Sequence, residues 1–377
     1  MSRCGIAFRL RYLSRWMGVV LVFGIMIVGN SCEKGCHNGD VSTKEGGIAQ
    51  IVVSPDRTRV LMTIGYHSRN AIGGIWVSDI CCLHWRKLFH VKEEQSIVLA
   101  TWSPNGKSIC FSGGERRGED YSFFTAIVDT ANGVFRLLTD KGAGNHAEWS
   151  PTGNTIAQIA AYGETYQQKI LLIDVDKNEE RVLLDDIAYW GSWGWMPDGR
   201  NIIFSPSAGT DAEIRIIDIH TLDQKVVLEG FVLGTPAFSS DGKKFFFSKN
   251  NSPEGYFIAS LNSTGKWETY KVGDESLRIG QAIWAPDNGN LLLCARDIEK
   301  DTLWIMDTRN QKKKKILEAK VYTGFGFYAK ADWLSDSTVI FSDGISISTI
   351  NSDGSERKEV FSIEQLKSYT QSSDKEN

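Results

Sequence analysis

Few residues of this 377-residue chain have the types and spacing that chemistry requires. His67, His146, Glu148, Glu164 and Asp211 are the strongest set. If two or three of them converge within about 6 Å, they would perturb one another's pKa values. Such a cluster could move protons for a glycan lyase or hydrolase. Other reactive signatures are missing: there is no Gly-x-Ser-x-Gly elbow, no phosphate-binding glycine loop, and no Cys-x-x-Cys or His-Glu-x-x-His spacing. Asp174, Asp176 and Asn178 mimic the opening ligands of a calcium loop, but Glu179 stands where that loop requires glycine. No metal and no cofactor is expected, and no catalytic residue is assigned.

A second group suits recognition better than reaction. Tyr189, Trp190 and Trp193 fall close together, as do Tyr322, Phe325, Phe327 and Tyr328. Mixed charges occur in two further stretches, one with Glu115, Arg116, Arg117, Glu119 and Asp120, the other with Arg296, Asp297, Glu299, Lys300 and Asp301. Aromatic centres with charged rims are how protein-recognition surfaces are built, and rings also stack on sugars. The same rings could instead plug a channel or extend internal packing. With His146, the seven aromatics make up the candidate binding residues.

The elements that position these residues are set by a repeat. An aromatic or apolar residue runs into a small polar turn and then a hydrophobic strand at Val53, Trp102, Trp149, Trp195, Phe238, Trp284 and Trp333. The matching positions Asp56, Asn105, Thr152, Asp198, Asp241, Asp287 and Asp336 are 49, 47, 46, 43, 46 and 49 residues apart. Each unit divides into four short apolar runs bounded by Gly, Pro, Asn and Asp, which read as strands. Proline fixes its own φ in the turn, and Gly or Asn accepts the positive φ of a tight hairpin. Units of about 45 residues with four antiparallel strands predict propeller blades. The expected fold is all-β, a seven-bladed β-propeller over residues 47–361. The aromatic before each turn should lie between neighbouring blades, since burying a Trp removes roughly 200 Å² from water, worth at most about 5 kcal/mol. The first and last blades both read as complete, so the ring should close by packing and not through a shared strand.

WSPNG at Trp102, WMPDG at Trp195 and FSSDG at Phe238, each followed by an apolar strand, resemble the TolB-type propeller repeat. The resemblance covers residues 47–361 and concerns fold, because this repeat serves scaffolds, receptors and enzyme accessory domains alike. It is a resemblance without the amino-terminal α/β domain of TolB.

Residues 1–31 read as an export signal: Arg3, Arg9, Arg11 and Arg15 precede an apolar run, Met17 to Gly29. Gly29-Asn30-Ser31 then leads to Cys32, which resembles a lipoprotein acylation site and would anchor the protein to a membrane. Residues 32–46 read as a polar tether and 362–377 as a polar tail. Losing the four signal arginines takes the net charge from −4 to −4 − 4 = −8. That argues against nucleic acid, whose binding needs clustered Lys and Arg; the one basic run, Lys312 to Lys315, falls at a hairpin turn of the sixth blade. Cys110 and Cys294 fall on second strands and should be buried thiols; adjacent Cys81 and Cys82 point to opposite faces and should not pair. These observations predict a non-enzymatic binding or scaffolding protein of the periplasm or cell envelope. Its partner would be a protein or envelope component met on the loop-rich face. The alternative is a carbohydrate-active enzyme working at the channel mouth.

Overall fold

The hydrophobic runs pair as their alternation demands. The computed structural model describes residues 47–366 apart from the connecting stretches 66–71, 83, 93–94, 118–119, 140–142, 163–166, 186, 188–192, 207–212, 232, 235, 249–254, 273–277, 297–299 and 321–329. Twenty-eight strands form seven four-stranded antiparallel sheets, each built from consecutive strands. The blades occupy 47–90, 95–139, 143–184, 193–229, 237–272, 278–320 and 331–362.

Alternate residues on one strand feed two different seams. On the second strand of the first blade, Arg59–Gly65, the side chains of Val60, Met62 and Ile64 join the cluster shared with the seventh blade. Leu61, between them, faces the second blade. Each of the seven buried clusters spans one pair of adjacent blades, and together they run once round the ring. The expected seven-bladed propeller is the fold observed.

The repeat aromatics sit in these seams, each against the preceding blade. Four of the tryptophans also lock them with the indole N–H. Trp102 donates to the Val52 carbonyl at 3.1 Å, Trp195 to Glu148 at 3.2 Å, Trp284 to Ala237 at 2.7 Å and Trp333 to Ile283 at 3.0 Å. Every acceptor is the residue just before the preceding blade's own repeat position. This bond supplies register as well as burial.

The first and seventh sheets each take all four strands from their own blade, and the two meet face to face. Phe361 lies 5.1 Å from Trp85 across this seam, ring centre to ring centre. Beyond the last strand, Lys358–Ser362, a helical turn over 363–366 inserts Ile363 and Leu366 into the same cluster. Cys82, Cys110 and Cys294 are buried free thiols and Cys81 is an exposed one.

Candidate functional site

Connections from second to third strands, and from outer to next inner strands, leave one end of the ring rich in loops. His146 and Glu148 lie on the inner strand Ala143–Trp149, which runs from that end to the repeat turn, two residues apart and so on one face. His146 Nε2 and Glu148 Oε1 are 2.7 Å apart, and both side chains are part-buried. The imidazole ring centre is 5.3 Å from that of Trp193 on the next blade. A carboxylate holding an imidazole in this way can fix its tautomer and pass a proton to or from a third group. These are the two members of the predicted acid–base set that the structure brings together. His67, Glu164 and Asp211 lie outside the described residues, as do Tyr189, Trp190, Tyr322, Phe325, Phe327 and Tyr328.

Trp193 does not stand free on the loop-rich face. It opens the inner strand Trp193–Trp195 and is 2% exposed, within the seam between the third and fourth blades. Residues two apart on a strand share a face, so Trp193 must turn the same way as the repeat residue Trp195. Among the described residues its indole nitrogen has no hydrogen-bond partner. Among the described residues, no three metal-capable side chains converge.

The same end carries a hairpin that is paired almost to its tip. Ser108–Arg117 and Asp120–Asp129 are ten residues each, and their ladder continues to the pair Arg117 and Asp120. The matching ladder of the first blade stops at Ile64 and Gly74. Gln95 steadies the hairpin base by donating to Glu115 Oε1 at 3.2 Å. The sequence marked this stretch by its mixed charge.

The opposite end, formed by the repeat turns, holds a group that the motifs did not announce. Val53 occupies the first repeat position and has no indole N–H to offer. Its backbone N–H instead donates to Asp332 Oδ2 at 2.8 Å, and Trp333 N–H donates to Asp332 Oδ1 at 2.7 Å. Desolvation pushes the Asp332 carboxyl up to about 6, against the pull of these two amides and the Arg57 charge. Arg57 Nη1 donates to the Trp333 carbonyl at 2.9 Å, tying the first blade to the seventh. One signal was available: Arg57 fills the turn position that glycine holds in four other copies.

Seven four-stranded blades carry the TolB-type repeat in register. In fold the chain is a TolB-like β-propeller. No family model matches the sequence. A curated relative, the uncharacterized peptidase YuxL of Bacillus subtilis, is 28% identical over 151 residues, which is 40% of this chain and 21% of that protein. The match thus spans about a fifth of the relative's length. TolB from Acinetobacter baumannii has 17% identity and a TM-score of 0.49, covering 73% of this chain and 64% of that one. Oligogalacturonate lyase from Vibrio parahaemolyticus superposes with a TM-score of 0.54 at 10% identity, covering 84% and 86%. Likenesses at this identity concern the fold. No helix among the described residues is long and apolar enough to cross a membrane.

Proposed function

We propose that this protein is a non-catalytic binding or scaffolding propeller of the cell envelope, meeting a protein or envelope component through its loop-rich face. The observation that carries the reading is the second-blade hairpin, whose two strands stay paired from Ser108 and Asp129 to Arg117 and Asp120 through a stretch of mixed charge. A charged hairpin, together with the aromatics that the sequence places in the connections, would supply the polar rim and apolar anchors of a protein-binding surface. The basic, apolar leader and the small residues before Cys32 support export and acyl anchoring. The test is affinity capture from envelope extracts with the full chain and with Arg116→Glu, Trp190→Ala and Tyr328→Ala. Loss of the same partner in these variants is the expected result. Retention of every partner by all three would refute the loop-rich face as the interface.

A second reading is favoured by one distance, the 2.7 Å between His146 and Glu148. An oriented imidazole beside a channel suits a carbohydrate-active enzyme, and an oligogalacturonate lyase shares the fold. Incubation with a panel of glycans, acidic and neutral, discriminates the two readings. Turnover that vanishes in His146→Ala and Glu148→Gln would establish the enzyme. No product from any glycan leaves the binding reading in place.

A further inference from the structure

The outer edges of the blades do not share one chemistry. Each edge consists of a blade's fourth strand and the turn leading into it. Among the described residues nine large apolar side chains stand exposed, and six of them belong to three consecutive edges. Val134, Phe135 and Leu137 are on the second blade, Val182 is on the third, and Leu222 and Val226 are on the fourth.

Sister blades show that this is a choice. In six of the seven blades the ladder between third and fourth strands shifts register once. The fourth-strand residue just past the shift, toward the turn, is Lys87, Lys315 and Glu359 in the first, sixth and seventh blades. In the second, third and fourth it is Leu137, Val182 and Val226. Both lysines lie over the Trp opposite them, 4.8 and 5.9 Å from a ring centre, so a charged residue serves this position well. Three adjacent blades instead leave carbon in water, and exposed carbon that is clustered marks a contact surface.

Charge divides the ring along the same line. Glu179, Glu180, Asp223 and Glu229 are exposed on the third and fourth edges and pair with no cation among the described residues. The sixth edge has the opposite sign. Lys312 and Lys313 meet no acid there, and Lys314 Nζ donates to the Asp353 carbonyl at 2.5 Å. In a ring of seven, the third and sixth blades are as far apart as two blades can be.

We propose that these two edges bind each other between copies of this chain, the sixth-blade edge of one molecule docking on the third- and fourth-blade edge of the next. Both halves of a complementary interface are present on one sequence, which is what selects a second copy as the partner. Lysine stems cover Val182 and Val226 while their ammonium groups meet the unpaired acids. Because the two patches differ and lie on far sides of the ring, the contact is head to tail, and copies add in a row without closing as a pair. The contact uses the side of the ring and does not depend on the loop-rich face.

Sedimentation velocity of the full chain in mild detergent, over a concentration series, tests the assignment. The parent should form dimers and larger species, with an association constant that falls at least about tenfold as salt rises from about 0.05 to about 0.5 M. Glu180→Lys with Val182→Lys removes one face, and Lys312→Gln, Lys313→Gln and Lys314→Gln together remove the other. None of these side chains is buried, so both variants should keep the circular dichroism of the parent. Each alone should sediment as a monomer. Mixed, each brings the face that the other lacks, and they should form a one-to-one dimer and nothing larger. A parent that stays monomeric, association that survives in either variant as shared micelles would, or folded variants that fail to pair when mixed would each overturn the proposal.

Discussion

Asp332 gives the seam between the first and seventh blades a pH dependence whose sign can be worked out. Its carboxyl titrates near 6 in the folded chain against an ordinary value of 3.8, because burial disfavours the charged form more than two amides and Arg57 favour it. A raised carboxyl pKa means that the folded state binds the extra proton between those two values. The associated stability is therefore fully present below pH 3.8 and is lost as pH rises through about 6. A shift from 3.8 to about 6, at about 1.36 kcal/mol per unit, corresponds to a ceiling of about 3 kcal/mol. About 2 kcal/mol of that falls between pH 4.5 and 7.5. The perturbation is Asp332→Asn, which cannot titrate. It keeps one acceptor and loses the other, so it starts from a penalty that does not vary with pH. Urea unfolding of both proteins across this window isolates Asp332, since every other titrating group cancels in the difference. The variant should gain about 2 kcal/mol on the parent as pH rises from 4.5 to 7.5. A difference that stays flat, or that moves the other way, would refute the claim that burial dominates this carboxyl.

The seam tryptophans separate into two kinds. Trp284→Phe and Trp333→Phe each strip a hydrogen bond from a carbonyl of the preceding blade and should cost about 1–2 kcal/mol in urea unfolding. Trp149→Phe should be neutral or stabilising, because its buried indole nitrogen has no partner to lose. Gln158 is wholly buried with neither end of its amide bonded, so Gln158→Leu should stabilise by about 1–2 kcal/mol; a destabilised variant would reveal water bridging it. Metabolic labelling with palmitate should mark the full chain and spare Cys32→Ala; equal label in both would exclude acylation at Cys32.

The ring was legible because a blade states its needs locally. A turn, an apolar strand and an aromatic recur within ten residues, and alternation on each strand then dictates that both faces find neighbours. Val53 already stood out as the copy without a ring. What compensates it could not be read, because the answer, Asp332, lies 279 residues away and takes the backbone N–H of Val53. Trp193 escaped for a related reason. Spacing placed it outside the repeat motif, yet it lies two residues from Trp195, and strand alternation alone would have turned it into the seam. His146 and Glu148 obey the same rule, which is why their pairing follows from a sequence gap of two once the strand is known. Arg57 shows where comparison among copies does better than motif matching. No motif contains it, but its turn is one of six with the same backbone, and glycine serves in four of them. In a repeat protein the sister copies act as internal controls. Here the copy that accepts a strained backbone uses its side chain to tie the first blade to the seventh, through the Trp333 carbonyl.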